Sequence, residues 1–241
     1  MAMANDARNG KVYIHELVAI RDQNRQRYME HVAVNWCPVG RVERNMLSFG
    51  IWGTVGSTGA WPEVVLMWEL DGWHGLAANF ERELTNPKLQ DPSLERWWGE
   101  AVALRRGGHD RVVVPASYSP TAEQLVAATK RPAVYYHEIV QVVPGQARTY
   151  LALLREHWLP VAERLGLHLV GAFRTAMVND SEVICIWAIQ TWDGWADVEI
   201  AYESDPDVAR WRLHTQGLVR DWRNTLMCAA PQSGLTTGKL P

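Results

Sequence analysis

The sequence predicts an α+β fold: two ferredoxin-like βαββαβ modules in tandem, their sheets packed face to face to close one intrachain barrel. An internal duplication and a shared order of strand and helix signals carry this expectation. A shift of 122 positions aligns Val12–Val18 with Val134–Val140, Trp36-Cys37-Pro38 with Trp158-Leu159-Pro160, and Asp71-Gly72-Trp73 with Asp193-Gly194-Trp195. Further on, a shift of 114 aligns Asp91-Pro92 with Asp205-Pro206 and Arg96-Trp97 with Arg210-Trp211, so the first copy holds eight additional residues within Arg82–Gln90. Rare residue types matching in order mark one module used twice.

The elements follow in chain order. Tyr13–Ile20 is apolar and β-branched, a strand; Asp22–Val34 has the spaced apolar face of a helix, ended by Pro38. Leu47–Trp52 and Val64–Leu70 are two further strands joined by the glycine-rich run Gly53–Gly59. A second helix begins after Asp71, its N-cap. Arg105-Arg106-Gly107-Gly108 reads as a helix end, with basic residues against the dipole, and Val112–Val114 as the closing strand. The second copy repeats the order over Tyr135–Val142, Gln146–Leu165, Leu169–Ala176, Glu182–Gln190, Asp193–Tyr202 and Thr225–Ala229. The expected organisation is a disordered leader over 1–10, module 1 over 11–117, a linker over 118–132, module 2 over 133–231 and a flexible tail over 232–241. In the linker, Thr121 and Gln124 predict a capping box that starts a short helix. A βαββαβ sheet carries helices on one face only, so two such sheets can bury their open faces against each other.

Composition excludes several classes of function. Of 241 residues, 47% are hydrophobic and 21% charged, which fits a packed protein, and the net charge of −3 gives no electrostatic footprint for nucleic acid. Cys37, Cys185 and Cys228 form no CxxC pair, so neither a disulfide framework nor a zinc site is expected. No apolar run approaches the roughly 18 residues of a membrane span, and the expected location is cytoplasmic. The run Gly53–Gly59 lacks the Gly-Lys-Ser/Thr ending of a phosphate loop and precedes a strand, which makes it a hairpin loop able to act as a flap, with Trp61 as its lid.

The second copy resembles the NIPSNAP family: Val143-Pro144-Gly145-Gln146, Tyr150-Leu151, Arg155–Pro160, Gly171-Ala172-Phe173, Val183–Trp187 and Asp205-Pro206 carry the likeness. The first copy matches less closely, with Asn35 in place of His157 and Arg21-Asp22 in place of Pro144-Gly145. The resemblance implies the dimeric α+β barrel superfamily, here with its two modules fused. It does not imply one reaction, because that superfamily includes cofactor-free monooxygenases, isomerases, cyclases, haem-binding enzymes and proteins without established catalysis.

The repeated pairs His15-Glu16 and His137-Glu138 are the candidate catalytic residues. Neighbours on a strand point to opposite faces, so only one of each pair can line the barrel interior. A carboxyl in an apolar interior has a raised pKa suited to general acid/base work, and a histidine titrates near neutrality unshifted. NIPSNAP-like first strands carry Glu at these positions, which points the glutamates inward and the histidines toward the helices. The opposing reading is that both pairs are hydrogen-bonded core residues retained by duplication.

Tryptophan is abundant, at 13 against 3 Phe. Trp36/Trp158, Trp73/Trp195 and Trp97/Trp211 match between copies and read as scaffold. Trp52, Trp61, Trp68 and Trp187 do not match and are the candidate substrate-binding aromatics. Arg174, on a strand, is a candidate partner for Glu138 or an anionic substrate. No histidine spacing supports a metal, and haem rests on family analogy alone, with His74, His109 or His214 as conceivable ligands. The expected function is a small-molecule enzyme that binds an apolar substrate, cyclic ones included, and acts as an isomerase, lyase or cyclase without metal or organic cofactor. The alternatives are a non-catalytic ligand-binding or scaffolding protein, and a cofactor-free monooxygenase or haem enzyme. The partner is a small apolar molecule, and a homodimer of the pseudo-dimeric chain is compatible with the fold. The insertion and the glycine-rich loop place the working mouth in the first copy.

Overall fold

A computed structural model of the chain describes residues 9–85, 87–88, 90–128, 131–177 and 180–241. Most of the expected leader, parts of the first-copy insertion and linker, and Asn179 of the second hairpin turn lie outside the described residues. In the first copy, β1 (Val12–Ile20) leads into α1 (Arg25–His31), a π-helical turn over Val32–Trp36 and α2 (Cys37–Arg44). Strands β2 (Leu47–Thr54) and β3 (Glu63–Leu70), helices α3 (Gly72–Leu84) and α4 (Pro92–Leu104), and β4 (Arg105–Pro115) complete it. After α5 (Ala122–Ala127), the second copy runs β5 (Val134–Val142), α6 (Ala147–Leu153), a π turn over Leu154–Trp158, α7 (Leu159–Arg164), β6 (His168–Thr175), β7 (Glu182–Ile189), α8 (Trp192–Ser204), α9 (Pro206–Thr215) and β8 (Val219–Ala229), and α10 (Gly234–Thr237) follows. The α+β class and the tandem βαββαβ order are as the sequence predicts.

The described residues divide into two compact units, one drawn from 10–112, 121–128 and 228–241, the other from residue 9, 113–120 and 131–227. Each last strand is therefore shared. Arg105–Val112 of β4 belong to the first unit, whereas Val113–Pro115 pair with Phe173–Thr175 of β6 in the second. Strand neighbours follow the order β1-β3-β2-β8-β5-β7-β6-β4, and the series closes as an eight-strand antiparallel barrel. Registers repeat between copies: Val12↔Leu70 and Ile14↔Trp68 in one, Val134↔Ile189 and Tyr136↔Trp187 in the other. Both second strands carry a bulge at the same place, Ser48/Gly50 and Leu169/Gly171.

Several expectations are corrected. The first helix does not stop at Pro38. A π turn precedes it, and Pro38 and Pro160 take first-turn positions of α2 and α7, where a missing N–H costs no helical bond. The segment from Arg105 to Gly108 is strand, not a helix cap, and β8 likewise begins six residues before Thr225. Asp71 stands at the N-cap of α3 but makes no cap bond; its carboxylate accepts from Lys11 Nζ at 3.3 Å. The tail over 232–241 is not frayed: Ser233 and Leu235 are buried, the Thr236 hydroxyl donates to the Ala230 carbonyl, and Arg41 donates to the Leu240 carbonyl. The Thr121–Gln124 capping box is present on α5.

In the first unit the core lies between sheet and helices. Val12, Val18, Ile20, Leu66 and Leu70 face Tyr28, Met29, Val32 and Trp36. The opposite sheet face holds Trp52, which is fully buried, with its indole lying across Gly50. A Cβ at Gly50 would come within 2.0 Å of that ring. Gly50→Ala is expected to lower stability by about 1–3 kcal/mol, the usual cost of overpacking, read as a drop in denaturant midpoint at unchanged slope.

Candidate functional site

The glutamates lie on the helix-covered face of their sheets, the reverse of the expectation that they face the barrel interior. Glu16 shares its strand parity with Val12, Val18 and Ile20, which pack on α1; His15 is buried on the other face. That other face is polar enough to hold a buried bond, since the Tyr13 hydroxyl donates to Glu69 Oε2 at 2.8 Å. His137 and Glu138 divide the same way by alternation along β5. The apolar residues of β1 decide the orientation, because they must meet the apolar faces of the helices.

Each glutamate is held by an indole. Trp68 Nε1 donates to Glu16 Oε1 at 2.7 Å, and Trp187 Nε1 donates to Glu138 Oε2 at 3.0 Å. Trp68 and Trp187 thus occupy equivalent places, although the 122-position shift leaves them unmatched. They stand 119 positions apart, not 122, because the loop lengths around β3 and β7 differ. Aligning the strands themselves, not the flanking motifs, would have revealed the pair. Trp52 sits on the opposite sheet face from Trp68, and Trp61 is exposed, with the Arg25 guanidinium 4.3 Å above its ring. The structure therefore does not bring the four candidate tryptophans together.

Burial dominates the electrostatics of both carboxyls. Glu138 is 3% exposed, and desolvation raises it to about 7 against the opposing hydrogen bond from Trp187. Glu16 is raised to about 8, first by desolvation and then by the Asp110 carboxylate, with the Trp68 bond and the Arg105 charge pulling it down. Tyrosines surround each. Tyr28 of α1 lies near Glu16, and its counterpart Tyr150 of α6, together with Tyr202 of α8, lies near Glu138; burial pushes all three phenols up, and the glutamate charges push further.

In the second module an aromatic cavity of about 230 Å³ opens between β5, β8 and the helices, lined by Tyr150, Tyr202, Trp211 and Trp222 with Val140 and Val208. Tyr202 and Trp222 meet edge to face at 6.4 Å. Tyr150 and Tyr202 bridge the two features, lining the cavity and sensing the Glu138 charge. At Arg212 and Val219 of the lining the first copy has Trp98 and Arg105, whose guanidinium stacks 3.9 Å over the Trp98 ring. The working mouth expected in the first copy is not where this cavity lies; it belongs to the second. Tyr150, Tyr202 and Trp211 carry no signal of it, because a residue repeated or buried among apolar neighbours has the same pattern whether it fills a core or borders a void.

Arg174 is no partner of Glu138. It lies on β6 in a separate cleft with Arg148 and Arg155. Among the described residues no group of three His, Cys, Asp or Glu side chains could hold a metal, and no helix is long and apolar enough to cross a membrane.

An eight-strand barrel of two ferredoxin-like modules is thus the class of fold, and solved structures share it over most of the chain. An anthrone oxidase-like protein matches 92% of this chain and 92% of its own at 10% identity, with a TM-score of 0.63. A candidate monooxygenase from Lactobacillus acidophilus NCFM matches 92% and 95% at 9% identity, with a TM-score of 0.61. At such identities the likeness is one of fold. NIPSNAP family proteins are also structural neighbours, over one module: one of unknown function from Agrobacterium tumefaciens strain C58 covers 42% of this chain and 90% of its own, at 20% identity and a TM-score of 0.38. No family model and no curated protein matches the sequence.

The Glu138 shift sets a dependence on pH. Its folded value lies above its unfolded one, so the protonated carboxyl stabilises the fold: the contribution is whole below about pH 4.5, declines as pH rises, and is gone above about pH 7. A shift of this size corresponds to about 3 kcal/mol. The wild-type thermal midpoint should therefore fall across that window. Glu138→Gln, which keeps an acceptor for Trp187, should flatten the fall, and an unchanged pH profile would contradict the assignment.

Proposed function

We propose that the chain is a small-molecule enzyme that binds an apolar, ring-containing substrate in the second module and moves a proton by cofactor-free acid/base chemistry. One observation carries this reading: a buried carboxyl raised to about 7 acts through its charge on the two phenols, Tyr150 and Tyr202, that line an aromatic cavity. A carboxyl with that value is available as base or acid near neutrality, which is where general acid/base groups work best. Tyr150 and Tyr202 hold their protons and offer hydroxyl donors to a carbonyl or enolate oxygen as charge develops there. A volume of about 230 Å³ is below the range of about 300–1,000 Å³ typical of drug-sized pockets, which favours a compact molecule of one or two rings. Isomerisation, dehydration and cyclisation each need a proton removed and another delivered, and they ask for no metal or organic cofactor.

A second reading is cofactor-free oxygenation, favoured by the whole-chain likeness to a candidate monooxygenase and an anthrone oxidase-like protein. Its first step is the same, removal of a proton from an enolisable ring, after which dioxygen and not a proton meets the carbanion.

Deuterium exchange into 2-tetralone, a two-ring enolisable ketone, followed by NMR in deuterated buffer, tests the shared step. The intact protein should accelerate exchange, and Glu138→Gln should lower the rate by about 10²–10⁴-fold, the usual worth of a general base. Unchanged exchange in the variant would overturn the role of Glu138. An oxygen electrode separates the two readings: consumption of dioxygen with substrate supports oxygenation, and its absence supports isomerase or lyase chemistry.

A further inference from the structure

We propose that a second cleft in the second module is a binding site for the phosphate group of a small molecule. The cleft has a volume of about 430 Å³ and is lined by Arg148, Arg155 and Arg174, with Tyr118 and Ser117 from the turn after β4. Arg148 and Arg155 come from the helix that begins as α6 and continues through the π turn, and Arg174 comes from β6. Three guanidinium groups thus converge from two elements, in a chain whose net charge is −3.

The walls are firm. Ala116 N–H donates to the Ala172 carbonyl, and Ser119 both donates to that carbonyl and accepts from Ala172 N–H, so the turn is stitched to β6. The Tyr118 hydroxyl donates to the Leu151 carbonyl at 2.8 Å, which leaves the ring face toward Arg155, 5.5 Å away. No carboxylate lines the cleft. Elsewhere arginines in this chain meet acids: Arg164 meets Asp205 and Asp207, and Arg82 meets Glu43 and Asp91. Among the described residues neither Arg148 nor Arg174 has such a partner.

The duplication supplies an internal control. The counterparts of Arg148, Arg155 and Arg174 in the first copy are Gln26, Ala33 and Gly53, by the helix shift and the shared bulge register. There the side chain of Arg25 lies against Gly53, where an added Cβ would come within 3.2 Å of it, donates to the Thr54 carbonyl, and stacks on Trp61. One copy fills the place with a guanidinium satisfied inside the protein. The other leaves it open and rings it with three.

Several guanidinium forks suit a tetrahedral oxyanion with three free oxygens, whereas one fork already satisfies a carboxylate. A phosphate monoester or a diphosphate fits best, its organic part resting on Tyr118. This site stands apart from the Glu138 chemistry.

Calorimetric titration of the intact protein with inorganic pyrophosphate, at fixed ionic strength, tests the assignment. Saturable binding is expected, weakened at least about tenfold by Arg148→Gln or Arg174→Gln. Arg174→Lys should recover only part of the loss, and the control Arg223→Gln should change nothing. Glu138→Gln should bind as the wild type does, which separates this site from the proposed active site. Absence of saturable binding, binding indifferent to the cleft variants, or acetate bound as tightly as pyrophosphate would each overturn the proposal. If the variants fail to fold, phenylglyoxal labelling of the wild type decides: pyrophosphate should protect Arg148, Arg155 and Arg174, and unprotected labelling would refute the site.

Discussion

The indole–carboxyl hydrogen bond, made once in each copy across paired strands, is the constraint on which the rest of the site depends. It ties Glu16 to Trp68 and Glu138 to Trp187 in the layer where sheet meets helix, a layer that in the first unit is built largely of apolar side chains. A carboxyl there has few alternatives. Left without a donor, it would carry the full desolvation cost of a polar group; given an indole N–H, it is satisfied in part, and burial holds its pKa up against the pull of that bond. The same bond fixes the indole, whose area then forms part of the core. Packing and proton chemistry thus share one interaction, which is why the pair persists in both copies while the surroundings differ.

Those surroundings divide the copies. Around Glu16 there are charges, with Asp110 and Arg105 acting in opposite directions, and Arg105 stacks on Trp98. Around Glu138 burial dominates, and the nearby groups are phenols with an aromatic cavity beyond them. A neighbourhood of phenols leaves burial, and not fixed charges, as the main influence on that carboxyl. Divergence after duplication has therefore left one module with the simpler carboxyl environment and with the cleft ringed by arginines.

Much of this architecture was legible in the sequence, and the failures share a cause. Matched motifs such as Val12–Val18 with Val134–Val140 exposed the duplication, and strand and helix periodicity supplied the βαββαβ order. The candidate carboxyls were found because a His-Glu pair recurs within an apolar strand. Their direction was not, since alternation fixes opposite faces without saying which face meets the helices. Trp68 and Trp187 escaped notice as partners because loop-length differences shifted β3 against its flanks. The π turns, which let Pro38 and Pro160 stay within their helices, leave no composition signal. The cleft of three arginines joins residues from a helix and a distant strand, so no window of sequence contains it.

The central claim is that Glu138 is a carboxyl whose proton comes off near neutrality within a fold that holds it in place. Carbon-13 NMR of side-chain carboxyls in glutamate-labelled protein, assigned by comparison with Glu138→Gln, measures this directly. The Glu138 resonance is expected to titrate at about 7. A resonance titrating near 4.5, the ordinary value of an exposed glutamate, would contradict it.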